Sequence, residues 1–186
     1  SVLISVPTSI GLILLAEPIL VTLLQYREFS ANDVSMTSLS LIAFAFGLPG
    51  MIGAKILVTN YYSRKNTSYP VRAAIIAVIA NFIMNIIFVV YLTSSNFLGA
   101  HVGLALATSI SAYINFILLL NNATKTKILV IDKNILIILI KVIASSIVMA
   151  LFILYFDLNA NTWENLEILE RAGKLLIIIL LAMMIY

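Results

Sequence analysis

The sequence has 186 residues, of which 62% are hydrophobic and 10% are charged, and its mean hydropathy is +1.13. Soluble globular domains carry about 25% charged residues, so the composition excludes that class and indicates an integral membrane protein. The chain has no cysteine, which excludes disulfides, thiolate nucleophiles and cysteine-based metal sites, and its net charge of +3 gives no reason to expect nucleic acid as a partner.

Six apolar stretches predict membrane spans. A helix rises 1.5 Å per residue, so about 20 residues cross a hydrocarbon core of about 30 Å. The predicted spans are residues 2–24, 37–61, 73–92, 99–120, 135–156 and 175–186. The chain starts at Ser1 and stops at Tyr186 inside the sixth stretch, so we expect a piece of a longer protein with its last helix truncated. The predicted fold is an all-α integral membrane protein, a bundle of about six transmembrane helices.

Proline and glycine modify the first two spans. Pro7 and Pro18 in the first span each remove a backbone donor and clash with the preceding turn, which predicts a bent helix. The second span holds Gly47, Gly50 and Gly53 within an apolar run. This pattern predicts a broken or closely packed helix rather than a nucleotide-binding loop.

Small and polar residues recur every fourth position along the fourth span. Such a stripe favours contact with another helix, because small residues let two backbones approach closely in lipid. The third span repeats the spacing, and only residues 93–98 join the two, so they are predicted to be antiparallel neighbours whose stripes could face each other. The stripe residues are Gly99, Gly103, Ala107, Ser111 and Asn115 in the fourth span, and Ala73, Ala77, Asn81 and Asn85 in the third.

Two asparagines of this pattern form a candidate site. Asn81 and Asn85 lie one turn apart, and Thr108 lies midway along the fourth span. Their oxygens could bind a small hard cation, but no carboxylate is present to neutralise it. A set of interhelical hydrogen bonds is therefore the preferred interpretation.

The loop charges predict an orientation. Loops 62–71 and 121–134, with Arg72 at the mouth of the third span, carry six basic residues against the single acid Asp132, whereas the other loops carry most of the acids. By the positive-inside rule, loops 62–71 and 121–134 are predicted to be cytoplasmic, together with Ser1. An even number of helices before this chain would suit that orientation.

Three charged residues fall inside predicted spans: Glu17, Lys55 and Lys141. All are close to a span end, so the two lysines could extend to the headgroups. The functional alternative is that Lys55 projects into a polar cavity beside the glycine-rich segment and binds an anionic substrate. Glu17 is shorter and less able to reach the headgroups, and a role in the cavity and a partner such as Lys55 are equally favoured for it.

No catalytic constellation is visible, because the sequence shows no acid pair, activated nucleophile or phosphate loop. The only histidine, His101, has no metal-binding residue at ligand spacing, so neither a metal nor a cofactor is expected. The polar segment 157–174 predicts a short interfacial helix, with Asn161 as N-cap, Glu164 as its N3 partner and Trp163 at headgroup depth.

Several segments match one known family in order along the chain, above all YYSRKNTSYPV at residues 61–71 and HVGLALATS at residues 101–109. They resemble segments of the MurJ (MviN) lipid II flippases of the multidrug/oligosaccharidyl-lipid/polysaccharide exporter superfamily. The most specific is residues 101–109, HVGLALATS, which is similar to the family's GHxGLALATS segment. Residues 61–71, YYSRKNTSYPV, are similar to its FYA…DT…PV segment, with Tyr61 for the usual Phe and Ser63 for Ala. Shorter matches (SVP, AEPI, FS and GL) lie within residues 5–48.

The resemblance implies a fourteen-helix transporter with two six-helix lobes and a terminal pair. Residues 1–122 would be the last four helices of the second lobe, and residues 123–186 the terminal pair. Members of this family move undecaprenyl-linked peptidoglycan precursor from the inner to the outer leaflet of the bacterial cytoplasmic membrane by alternating access. The glycines of the second and fourth spans would then permit close sliding contacts between helices: Gly47, Gly50, Gly53, Gly99 and Gly103.

The same resemblance limits the site assignment. The family's substrate-binding arginines lie mostly upstream of Ser1, so the candidates in this chain, by position alone, are Lys55, Arg64 and Glu17. The implied partners are the lipid-linked precursor, membrane lipids and the N-terminal helices of the transporter, without which we expect no transport. The terminal pair would supply part of an apolar groove for the prenyl tail. The alternatives are another polysaccharide-lipid or multidrug exporter of the superfamily, or a non-transporting membrane subunit.

Overall fold

A computed structural model describes residues 2–26, 29–94, 100–127, 129, 133–156, 158, 162–163 and 166–186. Within these ranges the regular structure is helical throughout, and no strand is present. The helices are α1 (Val2–Leu14), α2 (Ala16–Leu24), α3 (Ala31–Ser63), α4 (Ser68–Ser94), α5 (Ala100–Lys125), α6 (Lys133–Leu154) and α7 (Ile168–Ile185).

Four of the described helices, α3 to α6, are long and apolar enough to cross a membrane. The pair α1 and α2 makes a fifth crossing if it is counted as one span bent by 68°. Pro18 explains where the bend falls, because it lacks the N–H group that would bond to the carbonyl of Leu14. The predicted all-α membrane fold is confirmed, with four to five candidate spans among the described residues.

The sixth predicted span differs from the structure. α7 begins at Ile168 rather than near residue 175, and its first two turns carry Glu170, Arg171 and Lys174. The backbone N–H of Glu167 donates to Oε2 of Glu170 at 3.3 Å, an interaction that lets the helix start among polar residues. With three charges in its 18 residues, α7 is not among the candidate spans.

Trp163 is held by the rest of the chain, and its place at headgroup depth stays a prediction. Its side chain is fully buried in an apolar cluster with Leu20 and Val34. Lys174 Nζ lies 4.8 Å from the centroid of the ring. The predicted cap of the interfacial helix, Asn161 with Glu164, lies outside the described residues.

α3 is one continuous helix of 33 residues, so the glycine-rich segment does not break it. It begins six residues before the predicted span, because Ser30 and Asp33 form a capping box: the Ser30 N–H and hydroxyl donate to Asp33 Oδ2 at 2.9 and 2.7 Å. α4 begins at Ser68 and α5 continues to Lys125, so both basic loops are shorter than predicted. The domain boundary expected at residue 122 falls in the last turn of α5.

α5 packs against both α3 and α4, and it runs parallel to α3. At one end, His101 Nε2 lies 3.2 Å from the carbonyl oxygen of Met36. At the other end, the Tyr61 hydroxyl donates to Asn122 Oδ1 at 2.7 Å. α4 is antiparallel to both, since its first turn lies beside the end of α5. The two basic loops therefore lie at the same end of the bundle.

Two apolar clusters hold the helices together. The first joins α1, α2 and the start of α3 to α6 and α7, and includes Leu15, Val21, Val34, Met149 and Ile178. The second joins the ends of α3 and α5 to the start of α4, and consists of Ala54, Leu57, Tyr61, Ala73, Leu119 and Ala123. Because α6 and α7 share the first cluster with α1 and α2, the expected terminal pair packs directly on the rest of the chain.

Candidate functional site

Four polar side chains meet where the middle of α4 passes α5. Asn81 Nδ2 donates to Ser111 Oγ at 3.4 Å and to Thr108 Oγ1 at 3.5 Å. Asn85 Nδ2 donates to Asn81 Oδ1 at 3.0 Å. The hydroxyls of Thr108 and Ser111 donate in turn to backbone carbonyls of α5. The structure thus brings the three predicted residues together and adds Ser111.

This polar cluster can link the two helices through neutral hydrogen bonds, two of which are long. Asn85 Oδ1 is buried and has no hydrogen-bond partner, so one acceptor of the cluster is unsatisfied. No group of three or more histidine, aspartate or glutamate side chains in the described part of the chain could hold a metal ion. Whether the role of this cluster is to bind a cation or to link the two helices remains a prediction.

Three glycines of α3 face α5 at very short range. A Cβ atom on Gly47 would lie 2.8 Å from the backbone Cα of Ser109, which real Cβ atoms essentially never show. The other two glycines face aromatic rings. An added Cβ atom would lie 3.0 Å from the ring of Tyr113 at Gly50 and 2.7 Å from the ring of Phe116 at Gly53. In each case the missing side chain is what lets the two helices approach closely.

Gly103 plays the same part between α5 and α4. A Cβ atom there would lie 2.9 Å from side-chain atoms of Leu92 and of Phe88. Gly99, the other glycine predicted at this interface, lies outside the described residues. The small-residue stripe of α5 thus faces α4, while its neighbouring residues face α3.

Sequence reasoning missed a line of hydrogen bonds from α5 to the backbone of α3. The Ser109 hydroxyl donates to the carbonyl of Ala43, and the Tyr113 hydroxyl donates to that of Phe46 at 2.9 Å. The available signal was weak: two hydroxyl residues four positions apart, beside the predicted stripe rather than on it. Together with the glycines, these bonds hold α3 and α5 along most of their length.

Lys55 and Arg64 lie on α3 and at its C-terminal cap, and both are exposed. Neither side chain forms an ion pair or hydrogen bond with the part of the chain that the structure describes. Lys55 follows Gly53 by two residues, which is about 200° around the helix, so it projects away from α5. The two cations are thus available to a partner outside the described residues.

Glu17 lies in the first turn of α2 and is half-buried. It does not meet Lys55. The Ser9 hydroxyl of α1 donates to the carbonyl of Ala45, and α1 and α2 run antiparallel to α3 from there. Lys55 lies ten residues beyond Ala45, about 15 Å further along α3, in the direction opposite to Glu17. The predicted Glu17–Lys55 pair is not formed in this structure.

An apolar cavity of about 350 Å³ extends across the bend between α1 and α2 and is bounded on its other side by α6 and α7. Its walls include Pro7, Gly11, Leu15, Met149 and Ile179. No charged side chain lines it. A cavity of this chemistry suits an aliphatic chain.

The fold and these sites define a polytopic α-helical membrane protein with tightly interlocked helices, intramembrane polar groups and unpaired cations. The sequence matches the family profile of the lipid II flippase MurJ over residues 1–172. The chain belongs to the MurJ lipid II flippase family, a family of membrane transporters, as the sequence resemblance predicts.

Individual relatives agree. The chain is 33% identical over 184 residues to the "Probable lipid II flippase MurJ" of Haemophilus influenzae, covering 99% of this chain and 34% of that protein. It is 43% identical over 114 residues to the protein of the same description from Vibrio cholerae, covering 61% of this chain and 20% of that protein. A solved structure described as "Lipid II flippase MurJ, inward closed conformation" is similar with a TM-score of 0.78 at 28% identity, covering 100% of this chain and 35% of that one. The chain spans about a third of the length of the curated relatives that it matches over its whole length.

Proposed function

We propose that this chain forms the C-terminal part of a lipid II flippase. In this proposal residues 1–122 are the last four helices of the second lobe and residues 123–186 are the terminal pair. The full-length transporter moves the undecaprenyl-linked precursor from the inner to the outer leaflet of the bacterial cytoplasmic membrane by alternating access, and loops 62–71 and 121–134 face the cytoplasm. The observation that carries the proposal is the match to the MurJ profile over residues 1–172.

Lys55 and Arg64 are proposed to contact the pyrophosphate of the substrate. Their support is position and charge, since both are exposed cations without partners within the described residues. Glu17 is proposed to line the substrate cavity at a different depth from Lys55, where its carboxylate adjusts the electrostatic field along the path of the substrate. In alternating access the cavity presents its cations to one side of the membrane in one state and to the other side in the next. A substrate shifts the equilibrium between the two states only by binding them with different affinities.

The apolar cavity next to the bend of α1 and α2 is proposed to hold part of the prenyl tail. Its lining carries no charge, and it is bounded by α6 and α7, the expected terminal pair. This assigns the two ends of an amphipathic substrate to two regions of the chain.

A chimera tests the proposed function. Residues 1–172 of this chain replace the aligned segment of the Haemophilus influenzae relative, in a bacterium whose own flippase can be depleted. We expect growth, and we expect fluorescent lipid II in reconstituted vesicles to become accessible to a membrane-impermeant quencher. The same swap with the Vibrio cholerae segment is the control. A chimera that inserts at the control level but leaves lipid II protected would contradict the proposal, as would transport by residues 1–186 alone.

Two lysine variants of the chimera test the substrate site. Lys55→Gln should slow lipid II transport at least tenfold without changing the amount of protein in the membrane. Lys141→Gln is the matched control, because Lys141 is also an exposed lysine inside a span but lies on α6. Equal loss in both variants would show that general membrane anchoring, not substrate contact, explains Lys55.

A further inference from the structure

A groove opens between α3 and α4, because each packs on α5 but touches the other little. The two helices meet at the end that carries the basic loops, where the rings of Tyr61 and Tyr69 stack at a centroid distance of 5.8 Å. From there the groove widens into an open cavity of about 490 Å³. Its floor is α5, which contributes Asn115.

The lining of this groove is aliphatic apart from Asn115 and the phenol of Tyr62. The other lining residues are Val58, Pro70, Val71, Ala74, Ile75, Val78 and Ile79. No charged side chain is among them. The groove therefore suits an occupant with an apolar surface and one polar group rather than a phosphate or a sugar.

Asn115 supplies the second observation. Its Oδ1 atom is buried and has no hydrogen-bond partner, and the side-chain amide forms no other bond within the described residues. It lies five residues before Leu120, where the apolar part of α5 ends, and so about 8 Å inside the hydrocarbon core. Lipid chains at that depth offer no hydrogen-bond partner, so an amide facing lipid would remain unpaired at considerable cost.

We infer that this groove receives a further transmembrane helix, which packs on Val58, Ala74 and Val78 and brings one hydroxyl or amide side chain to Asn115. The inference rests on the proposed function, in which the chain is part of a longer transporter: the chain covers 35% of the solved relative, so most of that protein lies outside it. A helix meets both requirements of the groove. It supplies apolar surface along the walls and a side chain with both a donor and an acceptor at a fixed depth.

Site-specific photo-crosslinking tests the inference in the full-length protein. A genetically encoded diazirine amino acid replaces Ala74 or Val78, which line the groove. The matched controls carry it at Ile76 or Ile87, which are exposed and lie about 140–180° around α4 from Ala74 and Val78. Because the carbene inserts into whatever is adjacent, mass spectrometry separates peptide, lipid and water adducts.

We expect peptide adducts from another segment of the polypeptide at positions 74 and 78, and lipid adducts at positions 76 and 87. Lipid adducts at all four positions would overturn the inference, and so would water adducts in the groove. Lipid II transport is measured on the same variants. Lipid adducts in a protein that still flips lipid II would reject the docked helix and leave the proposed function standing. Peptide adducts in a protein that does not flip lipid II would support the docked helix and reject the proposed function.

A double-mutant cycle tests the pairing with Asn115. The expected crosslinked peptide carries a Ser, Thr, Asn or Gln within one turn of the crosslinked residue. Replacing that residue with Ala should lower the melting temperature of the wild-type protein but not of the Asn115→Ala variant, because coupled partners give non-additive effects. Additive losses, or a crosslinked helix without a polar residue near that depth, would refute the pairing.

Discussion

The glycines of the chain differ in what surrounds them, and so in what a methyl group would displace. At Gly47 it would meet backbone Cα of Ser109, which cannot move without shifting α5. At Gly53 it would meet the ring of Phe116, which can turn. At Gly173, in α7, nothing lies within 4 Å.

We expect Gly47→Ala to lower the melting temperature of the full-length protein, at a cost of about 1–3 kcal/mol, the range typical of overpacking. Gly53→Ala should cost less. Gly173→Ala is the control and should be neutral or stabilising, because alanine is favoured over glycine in a helix by about 1 kcal/mol. A loss at Gly173 as large as at Gly47 would mean that the α3–α5 contact is not the cause.

The Asn81 cluster gives a prediction that separates its two interpretations. If the cluster links helices by neutral hydrogen bonds, Asn81→Leu should lower stability by about 0.6 kcal/mol, the mean for interhelical bonds in membranes, equally in sodium and potassium buffers. We expect this result, because the cluster contains no carboxylate. A cation site would instead be established if sodium raised the melting temperature of the wild-type protein but not that of the Asn81→Leu variant.

At the scale of single helices, the ends are set by polar side chains rather than by apolar length. α3 starts at Ala31 because Ser30 and Asp33 cap its first turn. We expect Ser30→Ala to destabilise that turn by about 1 kcal/mol, seen as faster hydrogen exchange over residues 31–35. Ser35→Ala, at an exposed position within the same helix, should leave exchange unchanged. Faster exchange in both variants would argue against a role for the cap.

Some features of the helices can be predicted from the local sequence pattern, and others cannot. The length of the apolar stretches predicts α3 to α6. Polar and small residues at every fourth position, on two helices joined by a short connection, predict that Asn81 meets Thr108. Local pattern does not encode the register between helices. The contact between Ser9 and Ala45 sets that register, and it places Glu17 far from Lys55. The burial of Trp163 likewise depends on α2 and α3, which lie more than 100 residues earlier.

At the scale of the whole molecule, Arg171 ties the last helix to the first part of the chain. Its Nε atom donates to the carbonyl of Leu166 at 2.9 Å, and its Nη1 atom donates to that of Val21 at 3.4 Å. α2 ends at Leu24, so the Val21 carbonyl is among the last four, which have no partner within their own helix. The guanidinium thus caps α2 from α7.

We expect Arg171→Ala to lower the melting temperature by an amount equivalent to about 1.5–3 kcal/mol, as for hydrogen bonds to charged groups. Arg171→Lys should recover little, because an ammonium lacks the planar fork that reaches two carbonyls. Arg72→Ala, which removes an equally charged but exposed side chain, is the control. Equal effects of Arg171→Ala and Arg72→Ala would indicate a general charge effect rather than the cap.

The parallel pairing of α3 with α5 has a consequence for how the chain is made. The ribosome completes α3 at Ser63 and α5 only at Lys125, 62 residues later. At about 5–20 residues per second this interval lasts on the order of 3–12 s. Throughout it the glycine face of α3 lacks the helix on which it packs in the folded protein. Nascent chains arrested before residue 100 should therefore be degraded faster than chains released after residue 125.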